Sequence, residues 1–289
     1  MSQTSFADAP PSTPPPAAPP MLVIEPSTGW VSLQLDRVWQ YRELLYFLVW
    51  RDVKVRYKQT LLGILWIVLQ PLASMLVFTL LFGTLLGVPS GDVPYPLFAF
   101  AALLPWNYFA GSLNRAATSL VGNTNLITKV YFPRLIIPLA GVFSGLADFA
   151  IAFVVFLGLM AFYGVRPTAA VWWLPAFLLL ALFTALGFGL WLAALNVRYR
   201  DVNHLIPFLL QLWMYATPVV YGSTLIPARF RFLLALNPMT GVVEGFRWAL
   251  LGQNPPGTRF FVSIIITLLI FSTGLIFFRR TERTFADIV

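Results

Sequence analysis

RDVKVRYKQTLLGILWIVLQP, residues Arg51 to Pro71, passes within a few positions from a segment crowded with positive charge to one with none. A bilayer-spanning helix begins at such a junction, because Lys and Arg cost kilocalories at the hydrocarbon centre where Leu, Ile and Val are favourable. The chain therefore enters a membrane here. Arg51, Lys54, Arg56 and Lys58 form the densest basic cluster in the sequence and are expected to hold this end of the first span at the cytoplasmic face.

The whole chain carries the same signature. Of its 289 residues, 58% are hydrophobic and 10% charged, against about 25% charged in a soluble domain. So few charges cannot cover a water-facing surface, and a membrane protein with several spans is expected. The net charge of +8 sits in short loops between apolar segments, where topology requires it, which argues against nucleic-acid binding. The absence of cysteine excludes disulfides, iron–sulfur clusters and thiolate catalysis.

Upstream of the junction, Asp36 to Gln59 has helical periodicity, with Tyr46, Val49, Trp50, Val53 and Tyr57 on one face and Arg51, Lys54 and Lys58 opposite. Such a helix can lie in the headgroup layer. The alternative is a cytoplasmic extension of the first span. Residues 1–35 read as a disordered, proline-rich tail and connector without the charged start and apolar core of a signal peptide.

Downstream, six stretches are long enough to cross about 30 Å of hydrocarbon: Leu61 to Val88, Pro96 to Leu120, a segment within Leu135 to Tyr163, Trp172 to Asn196, Leu205 to Tyr221, and Phe260 to Phe278. The predicted fold is all-α, one transmembrane domain over 36–289. With six spans both termini share a side, and the basic residues divide 14 to 5 in favour of that side, which makes both termini cytoplasmic. The loop from Gly222 to Arg259 is too interrupted to cross as one helix, so two short helices that dip into or lie on the outer leaflet, broken at Asn237-Pro238, are expected.

Catalytic groups are sparse. No G-x-x-x-x-G-K-[ST] phosphate loop is present, His204 is a solitary loop residue, and no carboxylate pair lies at membrane depth. No catalytic residue, metal site or cofactor site is assigned. Asp148 is the single acid within a span; a structural ion pair with Arg115 or Arg134 is preferred to proton coupling. Aromatic residues cluster at Leu104 to Phe109, Lys129 to Arg134 and Leu212 to Tyr221. They read either as interfacial belts or as a pathway on which sugar rings stack: Trp106, Tyr108, Phe109, Tyr131, Phe132, Trp213, Tyr215 and Tyr221.

Four segments carry a family resemblance: Arg51 to Leu72, Leu103 to Ala140, Asn196 to Tyr221, and Leu236 to Gly252. In order and spacing they resemble the permeases of ABC-2 type polysaccharide exporters, most of all those for lipopolysaccharide O-antigen, with teichoic acid and capsule exporters as relatives. The resemblance implies a homodimer in the bacterial inner membrane, seated on two separate cytoplasmic ATPase subunits that bind ATP and Mg, and moving a lipid-linked polysaccharide outward. It further implies an interface helix over Asp36 to Gln59 and a coupling and gate region over Gly122 to Arg134, containing Asn123, Asn125, Thr128, Lys129 and Arg134. Two short helices before the last span complete the pattern. A permease for a small lipid or drug, or a membrane-embedded glycosyltransferase, are the competing readings.

Overall fold

The computed structural model describes residues 35–58, 63–282 and 285, and these are helical with no strand among them. The expected tail over 1–34, together with Gln59, Leu61 and Arg283, lies outside the described residues.

Two helices, α1 (Leu35–Gln40) and α2 (Arg42–Lys58), precede the apolar region. Next comes α3 (Gly63–Phe78), which widens into π-helical turns over Thr79–Leu85. Tyr95–Gly122 forms α4, Thr124–Lys129 a short α5, and Ile136–Phe162 α6. A 3₁₀ turn at Ala169–Trp173 leads into α7 (Leu174–Arg198), followed by α8 (Val202–Ala216). The C-terminal part holds α9 (Arg231–Leu236), α10 (Pro238–Leu251) and α11 (Arg259–Thr281). Proline occupies the first turn of α4, α7 and α10, where its fixed φ suits a helix start and its missing N–H is not needed.

Four helices are long and apolar enough to cross a membrane on their own: Leu65–Leu85, Ile136–Phe162, Ala169–Arg198 and Phe260–Thr281. The second expected span, α4, is the hub. It packs against α3, α6, α7, α8 and α10, and Leu97 to Trp106 is buried without a break. Its protein contacts let it carry Arg115, which is partly buried, while Asn107 and Asn114 stand on a face left exposed.

Small residues set the spacing around this hub. Gly141 and Gly145 of α6 face Arg115 and Ser112 of α4, and Gly189 of α7 faces Ala116. At the α7–α11 crossing a Cβ on Gly187 would stand 2.8 Å from the backbone nitrogen of Phe271, and Gly274 abuts the carbonyl of Gly187. Backbones approach this closely in membranes through small residues, since lipid offers apolar side chains little reason to leave it. The Thr184 and Thr267 hydroxyls, 2.9 Å apart, fasten the same crossing.

Three expectations are corrected. The fifth stretch is helical only to Ala216; at 15 residues α8 is about 22 Å long, and Thr217 to Tyr221 leaves helical geometry. The break at Asn237-Pro238 is present, with Asn237 Oδ1 accepting from Met239 N at 3.1 Å, but α10 is not a surface helix. Met239, Val242, Val243, Phe246, Ala249 and Leu250 are all fully buried, against α4, α7 and α11. Finally, α2 packs through Leu44, Leu45, Leu48 and Val49, with Tyr41 just before it, while Tyr46 and Trp50 of the expected apolar face are exposed.

Candidate functional site

The register of α2 turns two of its five basic residues, Arg51 and Arg56, inward. Arg56 Nη1 pairs with Asp148 Oδ2 on α6, and Tyr57 donates its hydroxyl to Asp148 Oδ1 at 2.8 Å. From α4, Arg115 Nη1 reaches the same Oδ2 at 3.2 Å, while its Nε donates to the Gly141 carbonyl at 3.0 Å. Gly145 leaves the space that the Arg115 guanidinium fills; a Cβ there would stand 2.5 Å from Ser112 Oγ and closer still to the guanidinium. Burial, then the hydrogen bond to Asp148, raises the Tyr57 pKa, so the phenol remains a donor. One carboxylate thus joins three helices. Sequence reasoning identifies the Arg115 partnership but misses Arg56 and Tyr57, whose contacts depend on how α2 is rotated.

A second tie lies at the end of α4. Arg51 Nη2 bonds Asp52 Oδ1 at 2.8 Å and Asn123 Oδ1 at 3.0 Å, linking α2 to the α4–α5 junction. Of the expected coupling residues, Asn125, Thr128 and Lys129 stand exposed on α5, whose Ile127 is buried. Arg134 does not reach Asp148. Its backbone N–H donates to Glu282 Oε1 at 3.0 Å and its guanidinium to the Glu282 carbonyl, and Glu282 also pairs with Arg279 at 2.7 Å. The segment after α5 is thereby bound to the end of α11. Lys54 and Lys58 remain exposed.

The eight expected pathway aromatics divide. Trp106, Tyr108, Phe109 and Phe132 are 3%, 2%, 0% and 5% exposed and offer no ring face from within the subunit. Trp213 is half-buried, edge-on to Phe109 and Phe188, and donates to Asn237 Oδ1 at 3.0 Å. Tyr131 and Tyr215 are 67% and 49% exposed, and Tyr221 is half-buried with its hydroxyl on the Tyr215 carbonyl. What the sequence does not signal is a stripe on α8: His204, Phe208, Gln211 and Tyr215 are all exposed and recur at helical spacing.

At the far end of α4 lies a cation that sequence counting placed in a loop. Arg247 on α10 is 3% exposed, its guanidinium 3.5 Å from the centre of the Phe98 ring. It donates to the carbonyls of Phe98 at 3.2 Å, Pro218 at 2.7 Å, Val219 at 2.6 Å and Tyr221 at 3.2 Å. Tyr95 donates to the Val220 carbonyl at 2.6 Å, and Asn237 Nδ2 to Thr217 Oγ1 at 2.9 Å. The non-helical segment after α8 is therefore satisfied carbonyl by carbonyl, as buried irregular backbone must be.

Residues 43–251 match the family model described as ABC-2 type transporter. The chain belongs to that family. It is 36% identical over 250 residues to the O-antigen export system permease protein RfbA of Myxococcus xanthus, covering 85% of this chain and 95% of the relative. The RfbA protein of Klebsiella pneumoniae is 30% identical over 251 residues, 86% and 95% of the two chains. The polysialic acid transport protein KpsM of Escherichia coli is 25% identical over 240 residues, 80% and 91%.

As an ABC-2 transporter chain it is a multi-pass membrane protein and a transport subunit. The matched region takes in the Asp148 junction, the Arg51–Asn123 tie and the Arg247 clamp, and stops short of Glu282.

Proposed function

We propose that this chain is the membrane half of an ATP-driven exporter of lipid-linked, O-antigen-type polysaccharide in a bacterial inner membrane. The observation that carries the reading is the similarity to O-antigen export permeases along 95% of the length of those relatives. Six spans per subunit are α3, α4, α6, α7, α8 and α11, with both termini in the cytoplasm as the charge bias requires. Buried contacts let α4 cross despite its polar residues, and the Arg247 clamp completes the short α8. A capsule-type glycan is the second substrate reading, supported by the match to the polysialic acid transport protein.

The exposed faces of α3 and α8 support a homodimer around a channel. Gln70 on α3 and Gln211 on α8 are exposed, each flanked by apolar residues. Amides are costly against lipid and acceptable against a second subunit or a wet path. Tyr215 and Phe208 then provide rings on which sugars slide, each contact worth roughly 1 kcal/mol. At the cytoplasmic end, the exposed Asn125, Thr128 and Lys129 of α5 form the contact for a separate ATPase, which binds ATP and Mg. A push on α5 reaches α2 through Arg51 and Asn123, and α4 and α6 through Asp148. Lys54 and Lys58 lie against anionic lipid or the diphosphate of the substrate.

Deleting the chain is expected to abolish surface polysaccharide while lipid-linked glycan accumulates inside. The purified chain is expected to bring down an ATPase and to turn over no ATP alone. Normal surface polysaccharide in the deletion strain overturns the reading.

A further inference from the structure

Across the described residues the acids are distributed unevenly. Asp36, Glu43 and Asp52 lie on α1 and α2; Asp148 and Glu282 belong to the junctions above; and Asp201 follows α7, whose Asn196 bonds the Ala117 carbonyl near the same end of α4. Only Asp92 and Glu244 lie at the opposite end, and both line one pocket of about 410 Å³ between the α3–α4 loop, α10 and the turn after it. We propose that this pocket is a carbohydrate subsite, holding roughly one or two sugar rings of the exported glycan as it leaves. The proposal rests on the polysaccharide reading above.

The walls are built for hydroxyl groups. Asp92, Glu244, Gln253, Asn254, Ser90 and Thr224 supply carboxylate, carboxamide and hydroxyl groups. Such groups accept from and donate to vicinal diols in pairs, and Pro89 and Pro255 add apolar edges for C–H faces. The rim is tied: Gln253 Nε2 donates to the Ser90 carbonyl at 2.9 Å, and Ser90 Oγ to the Val93 carbonyl at 2.7 Å. Its two turns pass through Gly91 and Gly252 at φ of 71° and 70°, the left-handed region that glycine enters freely. The floor is fixed too, because Arg247 is held by four carbonyls and the Phe98 ring.

The same arrangement disfavours other ligands. Two carboxylates repel a phosphate or a lipid diphosphate, and the Arg247 donors are already engaged with backbone oxygens. Acyl chains find too many polar groups. A sugar, uncharged and rich in hydroxyls, matches the lining.

The test is photo-crosslinking in cells exporting their own surface polysaccharide, with a benzophenone amino acid at Thr224 in the pocket or at Tyr215 on α8. Both positions are expected to trap polysaccharide. Asp92→Asn combined with Asn254→Ala is expected to lower trapping at Thr224 about tenfold, the scale of one charge-assisted hydrogen bond, and to leave Tyr215 trapping within about twofold. Asp92 and Asn254 are exposed, so the substitutions spare the fold, and Tyr215 trapping in the same variant monitors it. Trapping at Tyr215 but not at Thr224, or Thr224 trapping that the double substitution leaves unchanged, overturns the subsite and keeps the export reading. Trapping at neither position overturns export of polysaccharide, and the subsite with it.

Discussion

Asp148→Asn removes the one negative charge between Arg56 and Arg115 while keeping shape and an acceptor for Tyr57. At 3.2 Å and an effective dielectric of about 20, the Arg115 pairing alone has a Coulomb energy of roughly 5 kcal/mol before desolvation is counted. Losing one partner of a fully buried pair costs about 3–5 kcal/mol. The side chains here are 24–27% exposed, so water screens part of the loss, and about 2–3 kcal/mol is expected. Arg56→Gln acts differently, since it leaves a one-to-one pair of Arg115 with Asp148, and about 1 kcal/mol is expected.

The rank order is the sharp part. The double variant must cost less than the sum of the singles, because removing Arg56 relieves the repulsion that Asp148→Asn creates. Thermal unfolding of the purified protein in nanodiscs measures all three, and blots of surface polysaccharide measure export. An Asp148→Asn protein as stable as the parent but dead in export would refute the structural role and point to proton coupling. Equal costs for Asp148→Asn and Arg56→Gln would show that the two arginines do not share one carboxylate.

Three further outcomes follow from single contacts. Gly187→Ala places a methyl group 2.8 Å from the Phe271 backbone, so α7 and α11 must part and about 1–3 kcal/mol is lost in thermal unfolding, whereas Gly158→Ala, with open space around it, is neutral or slightly stabilising. Arg247→Met leaves the non-helical carbonyls of Pro218, Val219 and Tyr221 without a donor and is expected to lower the yield of folded protein in fluorescence-detected gel filtration far more than Arg247→Lys, which restores part of the donation. Asn123→Ala, losing the 3.0 Å bond from Arg51, is expected to change stability by about 1 kcal/mol or less yet reduce export at unchanged protein level, which quantitative immunoblotting against surface polysaccharide resolves.

Long helices were legible because an uncharged run after Arg51 to Lys58 has few alternatives to crossing a bilayer. Partners 92 residues apart, as Arg56 and Asp148 are, were not, because a helix rotation of one residue on α2 would direct another side chain inward. The aromatic residues mislead for a related reason. Trp106, Tyr108 and Phe109 have the composition of a pathway and of a belt, but they sit on the faces of the hub helix that meet protein. Burial of α10 was hidden by Glu244 and Arg247, whose charges read as loop until the carbonyls of Pro218, Val219 and Tyr221 are seen to need a donor. The residues expected at the gate divide by exposure, with Asn123 and Arg134 bonded to the scaffold and Asn125, Thr128 and Lys129 turned outward.

These constraints limit where movement is possible. Close glycine crossings join α4 to α6 and α7, and α7 to α11, so that core resists internal deformation and moves as a body. The Asp148 junction adds α2 to it, and the Arg134–Glu282 contacts add the segment after α5. Exposed apolar faces remain on α3 and α8, as they do on α6 and α11, and the far end of α8 is pinned by Arg247 and Tyr95. A displacement applied at α5 is therefore expected to pass to the pocket end through α4. Helix α8 is held at both ends, by the short turn from α7 in which Val202 N donates to the Tyr199 carbonyl at 3.1 Å and by Arg247 and Tyr95 beyond Ala216, so the stripe of His204, Phe208, Gln211 and Tyr215 is expected to move with the core rather than swing away from it.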